Sequence, residues 1–345
     1  MSSSIPSADM ESMKEVDPSV LSANGFIQSH FTNLNTSEAL ANCFLQSYFL
    51  NLGVYPEVVH MMWYAEDSVI TRPGPDATIM SFTSHEAIKE QIVSCDYEGA
   101  SFDVMSFAAQ SCNTSSEDGA FIMVTGIVTC CKDKQLRRRF VQSLYLARRQ
   151  DRSYAIVNDM LRYVDSIPAI PSVPDSDFAA GFVKVYYELP MREEVGFMYV
   201  NESVMSRPTS TSGRTMVEMP GLDAINKRVA NEHKRAFSFI LNSVDHQICR
   251  SFKDRMFIMV CGFLTLDDKT ERKFLQFFYV ARCQKGSYVI FNDILRYVDV
   301  TPQDTLESSS HSDSKTGTDV ELPYFMVKNR KLLSYFNNID TQITT

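Results

Sequence analysis

The sequence predicts an α+β protein built twice over, on three observations. A strand-rich block, Phe140 to Asp165 (FVQSLYLARRQDRSYAIVNDMLRYVD), recurs without a gap as Phe274 to Asp299 (FLQFFYVARCQKGSYVIFNDILRYVD), with 16 of 26 positions identical. A fixed internal period of this kind marks a duplicated folding unit. Within each copy the apolar residues fall first at helical and then at strand spacing, which segregates helices from sheet. The unit is roughly 125 to 135 residues long, the size of one compact domain, so the 345 residues hold two domains with tails.

The elements follow in order. Ser37 to Leu50 sets Leu40, Phe44, Leu45, Tyr48 and Phe49 at helical spacing, with Ser37 as the expected cap. The second copy repeats this with Phe178, Phe182, Val185 and Tyr186. A short helix is expected over Pro56 to Tyr64, a hairpin over Ser68 to Phe82 turning at Pro73-Gly74-Pro75-Asp76, and a helix over His85 to Cys95. Strands are expected over Phe102 to Ala109, Ala120 to Cys130, Arg138 to Arg148 and Tyr154 to Val164, separated by turns at Glu117-Asp118-Gly119 and Gln150 to Ser153. The repeat extends upstream through Phe121-Ile122-Met123-Val124-x-Gly126, matched by Phe257-Ile258-Met259-Val260-x-Gly262 at an offset of 136 rather than 134. One hairpin is therefore two residues shorter in the second copy. Ser68-Val69-x-x-Arg72-Pro73 pairs likewise with Ser203-Val204-x-x-Arg207-Pro208.

These limits divide the chain into a disordered stretch (1–25), domain 1 (26–165), a proline-rich linker (166–176), domain 2 (177–300) and a Ser/Asp-rich tail ending in a short apolar patch (301–345). No apolar run reaches the roughly 18 to 20 residues of a membrane span, and the N-terminus does not read as a secretory signal. The expectation is a cytoplasmic protein, with a nuclear or nuclear-envelope location also open. The eight cysteines show no CxxC pair and read as buried thiols, not as metal ligands or disulfides. No metal and no cofactor is expected. A net charge of −9 speaks against broad contact with a phosphate backbone, and Arg137-Arg138-Arg139 reads as a solvated strand start. RNA contact, if any, would be indirect.

On the strand at Phe140 one face reads Phe140, Gln142, Leu144, Leu146 and the other Val141, Ser143, Tyr145, Ala147, and neither carries a charge. Leu275, Phe277 and Tyr279 make the second face of the other copy more apolar still. A strand apolar on both sides fits a sheet that packs on a partner. Val141, Ser143, Tyr145, Leu275, Phe277 and Tyr279 are thus the candidate pairing residues, for the other domain or alternatively for the C-terminal tail. Tethering raises the effective concentration of an internal pairing to about the millimolar range.

Phe-x-x-x-Tyr in the first helix, Ser-Val-x-x-Arg-Pro, Val-Thr-Gly or Val-Cys-Gly, Arg-Arg-Phe-x-Gln and Asn-Asp-x-x-Arg-Tyr-Val-Asp occur in this order. Together they resemble the nuclear transport factor 2 (NTF2) domain. Arg-Pro-Gly-Pro-Asp and Arg-Tyr-Val-Asp are most similar to the plant versions of the Ras-GAP SH3-binding protein family, the stress-granule family. The resemblance covers about Ser29–Asp165 and Asp177–Asp299. It implies a cone of three helices on a curved antiparallel sheet, dimerisation through the outer sheet face, and binding of short phenylalanine-containing peptides such as FxFG or FGDF-like motifs. Carried over by matching positions, it implies a groove lined by Leu40, Phe44, Met62 and Tyr154 in domain 1 and by Phe178, Phe182, Phe197 and Tyr288 in domain 2. An aromatic anchor in a desolvated slot supplies most of the energy of such short-motif interfaces. Met61 and Gly196 stand where the family has an arginine for the peptide's acidic residue.

The function expected is a non-enzymatic interaction module whose two domains form an intramolecular pseudo-dimer and bind Phe motifs in ribonucleoprotein, stress-granule or nuclear-pore partners. The alternative within the resemblance is a carrier of a small GTPase through FxFG nucleoporins. An isomerase or dehydratase of the same cone fold would use Asp159 and Asp293, with Tyr145 and Tyr279 nearby in sequence, but no histidine is shared by the copies.

Overall fold

The computed structural model describes residues 36–298 apart from 75–78, 95–96, 98, 115–116, 130–135, 151, 165–177, 189–195, 210–214, 234–237, 250–253, 267–268 and 283–287. The expected N-terminal disorder, the proline-rich linker, the Pro75-Asp76 end of the first hairpin turn and the C-terminal tail therefore lie outside the described residues.

Domain 1 runs α1 (Ser37–Val54), α2 (Pro56–Trp63), β1 (Tyr64–Pro73), β2 (Ile79–Phe82), α3 (His85–Ser94), β3 (Ser101–Thr114), β4 (Glu117–Thr129), β5 (Arg137–Arg148) and β6 (Tyr154–Tyr163). Domain 2 runs α4 (Phe178–Glu188), β7 (Tyr199–Pro208), β8 (Met216–Pro220), α5 (Leu222–His233), β9 (Ser238–Ile248), β10 (Arg255–Thr265), β11 (Glu271–Arg282) and β12 (Tyr288–Tyr297). Where α2 stands in domain 1, the described residues of domain 2 hold only a turn of 3-10 helix at 196–198. The cap of α1 is Thr36, not Ser37: Thr36 keeps an extended backbone and its hydroxyl accepts the Ala39 N–H at 3.1 Å, while Ser37 is already helical. The β3–β4 ladder is also longer than expected, because residues 117–119 pair with 112–114 instead of turning.

Each domain has one six-stranded sheet, in the order β2-β1-β6-β5-β4-β3 and β8-β7-β12-β11-β10-β9. All neighbours are antiparallel except β1 with β6 and β7 with β12. The shorter hairpin of the second copy is the β10–β11 connection, residues 266–270 against 130–136 between β4 and β5. Both sheets carry an extra residue at the same place in the repeat, Val157 in β6 and Phe291 in β12, where the register slips. They also share a bulge in the outer strand, at Met105 and Asn242. Gly126 and Gly262 make room for it: a Cβ on Gly126 would meet the Asp103 carbonyl at 2.7 Å and the Phe140 ring, and one on Gly262 would meet the Ile240 carbonyl and the Phe274 ring.

The alternation of β5 sorts its side chains as its sequence dictates. Phe140, Leu144 and Leu146 enter the domain 1 core with Phe44, Tyr48 and Trp63 from the helices, and Phe274, Phe278 and Val280 enter the domain 2 core with Phe182. The opposite faces of the two sheets meet each other. A third buried cluster joins Phe121, Met123, Val141, Tyr145 and Met160 of domain 1 to Phe257, Met259, Leu275, Phe277, Tyr279 and Ile294 of domain 2. Its centre is an aromatic stack across the two sheets, with Phe121 and Tyr279 centroids 5.0 Å apart and Tyr145 and Phe257 5.4 Å apart. Of the expected buried thiols, Cys112, Cys249 and Cys261 are buried and Cys43 half-buried, and none of these four forms a disulfide; Cys95, Cys130, Cys131 and Cys283 lie outside the described residues.

Candidate functional site

Inside each cone the curved sheet and first helix enclose one carboxylate. Asp159, fully buried, accepts from Tyr64 (2.6 Å), from Arg72 (2.5 Å) and, at 3.4 Å, from Tyr48 on Oδ2, and from Gln142 Nε2 (2.7 Å) on Oδ1. Domain 2 repeats the arrangement around Asp293. Tyr199 (2.6 Å), Tyr186 (3.1 Å) and Arg207 (2.5 Å) donate to Oδ2, while Arg207 Nη1 (2.8 Å) and Gln276 (2.7 Å) donate to Oδ1. Burial, then the adjacent carboxylate, raises the Tyr48, Tyr64, Tyr186 and Tyr199 hydroxyls above the ordinary tyrosine value, so all four stay protonated donors. Burial opposes the charge on Arg72, but Asp159 beside it prevails and holds it well above its usual value. The outcome in each cone is a neutralised ion pair with protein donors on both carboxylate oxygens. Two differences separate the copies: Arg207 reaches both oxygens of its carboxylate whereas Arg72 reaches one, and the glutamines differ in their partners. Tyr187 donates to Gln276 Oε1 at 2.6 Å, whereas its counterpart is Phe49 and Gln142 Oε1 has no hydrogen-bond partner among the described residues.

The tyrosines beside these carboxylates come from α1, β1, α4 and β7. Tyr145 and Tyr279, nearer in sequence, lie on the other face of the sheet, in the cluster between the domains. Sequence reasoning therefore located Asp159 and Asp293 but attached the wrong tyrosines. The missed signal was Arg72 and Arg207, already visible in the repeated Ser-Val-x-x-Arg-Pro: a buried arginine demands a carboxylate.

The eight groove positions divide by exposure. In domain 1, Leu40, Phe44 and Tyr154 are buried core, and Met62 is half-buried against the same cluster. Phe44 stacks on Tyr48 at 5.3 Å and meets Trp63 edge-on at 5.0 Å. In domain 2, Tyr288 meets Phe178 at 5.0 Å and Phe182 at 5.6 Å, and its hydroxyl lies 2.7 Å from where a Gly181 Cβ would stand, so a larger residue there would push the ring aside. Phe182 is fully buried, Phe178 and Tyr288 are half-buried, and Phe197 is 87% exposed. The structure thus gathers Phe178, Phe182 and Tyr288 and leaves Phe197 projecting into solvent. Phe44 and Phe182 have no surface to offer and can only support a slot from behind.

Of the six pairing candidates, Val141, Tyr145, Leu275, Phe277 and Tyr279 lie in the interdomain cluster, and Ser143 donates to the Met259 sulfur at 3.9 Å. The polar contacts that frame this seam had no sequence signal beyond the Asn-Asp pairs. Asn158 donates to Gln247 Oε1 (2.9 Å), and Gln247 donates to the Asp159 carbonyl (3.0 Å) and to the Thr71 hydroxyl. Across the pseudo-twofold, Asn292 donates to Gln110 Oε1 (2.9 Å), and Gln110 donates to the Asp293 carbonyl (3.2 Å) and to Ser206 (2.7 Å). Arg162 closes a buried fork on Asp245, and Lys273 donates to the Val164 carbonyl at 2.7 Å.

No described helix is long and apolar enough to cross a membrane, and the described residues contain no cluster of metal-ligating side chains. A curated relative, nuclear transport factor 2 of Arabidopsis thaliana, is 33% identical over 110 residues, which is 32% of this chain and 22% of the relative. The match thus spans about a fifth of that relative's length. Among solved structures, the yeast UBP3-associated protein BRE5 is 20% identical, with 35% of this chain and 91% of that chain covered and a TM-score of 0.31. Nuclear transport factor 2 from Cryptosporidium parvum is 23% identical, with 37% and 99% covered and a TM-score of 0.31. A ketosteroid isomerase-like protein from Erwinia carotovora atroseptica is 16% identical, with 38% and 98% covered and a TM-score of 0.30. The profile of the nuclear transport factor 2 (NTF2) domain matches residues 40–163 and again 178–297, and with more than half of its length so matched the chain belongs to the NTF2 domain family.

Proposed function

We propose that this chain is a non-enzymatic protein-interaction module, a pair of NTF2 domains closed on each other through their sheets, that binds short phenylalanine-containing motifs in ribonucleoprotein, stress-granule or nuclear-pore partners. The observation that carries the non-enzymatic part is the state of the two interior carboxylates. A general base must lie within reach of substrate, and Asp159 and Asp293 are wholly buried, ion-paired to Arg72 and Arg207, and hydrogen-bonded on both oxygens by protein donors. What remains for function is the surface.

On that surface the groove positions favour domain 2 as the stronger motif site. Domain 2 offers the large exposed aromatic Phe197 and a half-buried pair, Phe178 and Tyr288, whereas domain 1 offers half-buried Met62. Exposed aromatics and partly open apolar walls suit an inserted phenylalanine ring. Closing the sheets on each other withdraws the usual dimerisation face and leaves two unequal grooves in one chain. Fluorescence anisotropy with an FxFG peptide, an FGDF-like peptide and their Phe-to-Ala versions tests the reading. The expected result is binding that needs the peptide's phenylalanine and that falls at least tenfold in Phe197→Ala. Equal affinity for the Phe-to-Ala peptides would reject it.

A further inference from the structure

We infer that Arg296 forms a binding site for a small carboxylate in the seam between the domains, open because Ala108 stands where the equivalent position of the other half carries an aspartate. The seam is a pseudo-twofold arrangement, and its glutamine–asparagine contacts are reproduced on both sides. Arg162 and Arg296 are the same residue of the repeated Arg-Tyr-Val-Asp. Arg162 is satisfied: its Nε and Nη2 hold Oδ2 and Oδ1 of Asp245 in a two-point fork. Asp245 lies opposite Met259 in its hairpin, and Ala108 lies opposite Met123, the repeat equivalent of Met259. The residue that symmetry sets before Arg296 is therefore Ala108, which has no carboxylate.

The consequence is visible at Arg296. Only 4% of its surface is exposed, and its buried Nη1 has no hydrogen-bond partner among the described residues. Burial alone pushes it down to about 10, with no charge among the described residues acting on it. A buried cation without a counter-charge is costly, which is why such groups are paired where the chain allows it. Shortening Asp to Ala removes the volume of one carboxylate. The same wall carries the Ser106 and Thr125 hydroxyls, 2.6 Å apart, as the repeat equivalents of Ser243 and Cys261. The fork made by Arg162 identifies the ligand class, since a planar carboxylate is what this arginine takes in the other half. At 4% exposure Arg296 is out of reach of a side chain carried on a foreign backbone, so the ligand class narrows to a free anion of the size of formate. This assignment is independent of the motif grooves.

The test is thermal unfolding of the full chain at pH 7 in sodium formate and in sodium chloride of equal ionic strength. Formate is expected to raise Tm by roughly 2–4 °C over chloride. Ala108→Asp is expected to raise Tm in chloride by a similar amount and to lose the formate response. Arg296→Met is expected to lose the response as well, and it decides the matter should Ala108→Asp fail to fold. Identical melts of the unaltered chain in formate and chloride, or a formate response that survives in Arg296→Met, would overturn the site.

Discussion

The carboxylate networks inside the two domains recur residue for residue, whereas the groove and the seam have diverged. Four side chains recur around each interior carboxylate, Tyr48, Tyr64, Arg72 and Gln142 around Asp159 against Tyr186, Tyr199, Arg207 and Gln276 around Asp293. At the groove, Met62 faces its counterpart Phe197, and Cys43 its counterpart Gly181; at the seam, Ala108 stands against Asp245. The difference teaches that the interior network is a requirement of the cone itself. An arginine buried to tie α1 and β1 to the sheet cannot be left without its acid. The groove positions carry no such debt and could change separately in each copy.

The largest effect that sharpens this comparison is at the interior carboxylates. Asp159→Ala and Asp293→Ala should each cost about 3–5 kcal/mol in urea unfolding, because each strands a buried arginine. A large cost in one domain and none in the other would break the equivalence. The seam should behave asymmetrically. Arg162→Met strands the buried Asp245 and should cost about 3 kcal/mol, while Arg296→Met removes a charge that has no partner among the described residues and should be neutral or stabilising. Equal losses would contradict the assigned asymmetry.

A smaller difference is set by pH. His60 of domain 1 is held down to about 4 from 6.5, first by burial, then by His85, with Lys89 acting in the same sense and the contact to the His85 carbonyl and Glu86 opposing. The unfolded chain therefore binds more protons at this site. The stability it contributes is complete above about 6.5 and is lost as pH falls toward 4. After discounting for solvent screening the loss is about 1–2 kcal/mol, and His60→Leu should flatten that part of the pH–stability curve. Val195 stands at the equivalent place in domain 2. Smallest in stability terms is Phe197→Ala, expected to shift unfolding by less than about 0.5 kcal/mol while weakening motif binding. Phe44→Ser or Phe182→Ser, by contrast, would cost about 3–5 kcal/mol as core losses, so they cannot serve as clean groove probes.

Much of this fold was legible because its strands are long, strictly alternating and present twice. The two faces of Phe140–Ala147 could be read directly, and the structure sends Phe140, Leu144 and Leu146 to one core and Val141 and Tyr145 to the other. The cap was misread by one residue because Thr36 and Ser37 are equivalent by type and only the backbone at Thr36 separates them. The 117–119 turn was misread because Glu, Asp and Gly are turn formers by preference, while ladder pairing overrides that preference here. The interior site was half legible. Arg72 and Asp159 are 87 residues apart, and no local pattern joins them. The seam fork was invisible for the same reason, since Arg162 and Asp245 belong to different copies. Burial of Phe44 and Phe182 was equally hidden, because a phenylalanine at helical spacing reads the same whether it floors a groove or fills a core.

The two sheets close on each other within one chain. Sedimentation equilibrium of the full chain across the micromolar range tests it most directly. A single species at 39.2 kDa is the predicted result, with Phe121, Tyr145, Phe257 and Tyr279 satisfied internally. A stable assembly of two chains, persisting on dilution, would contradict it.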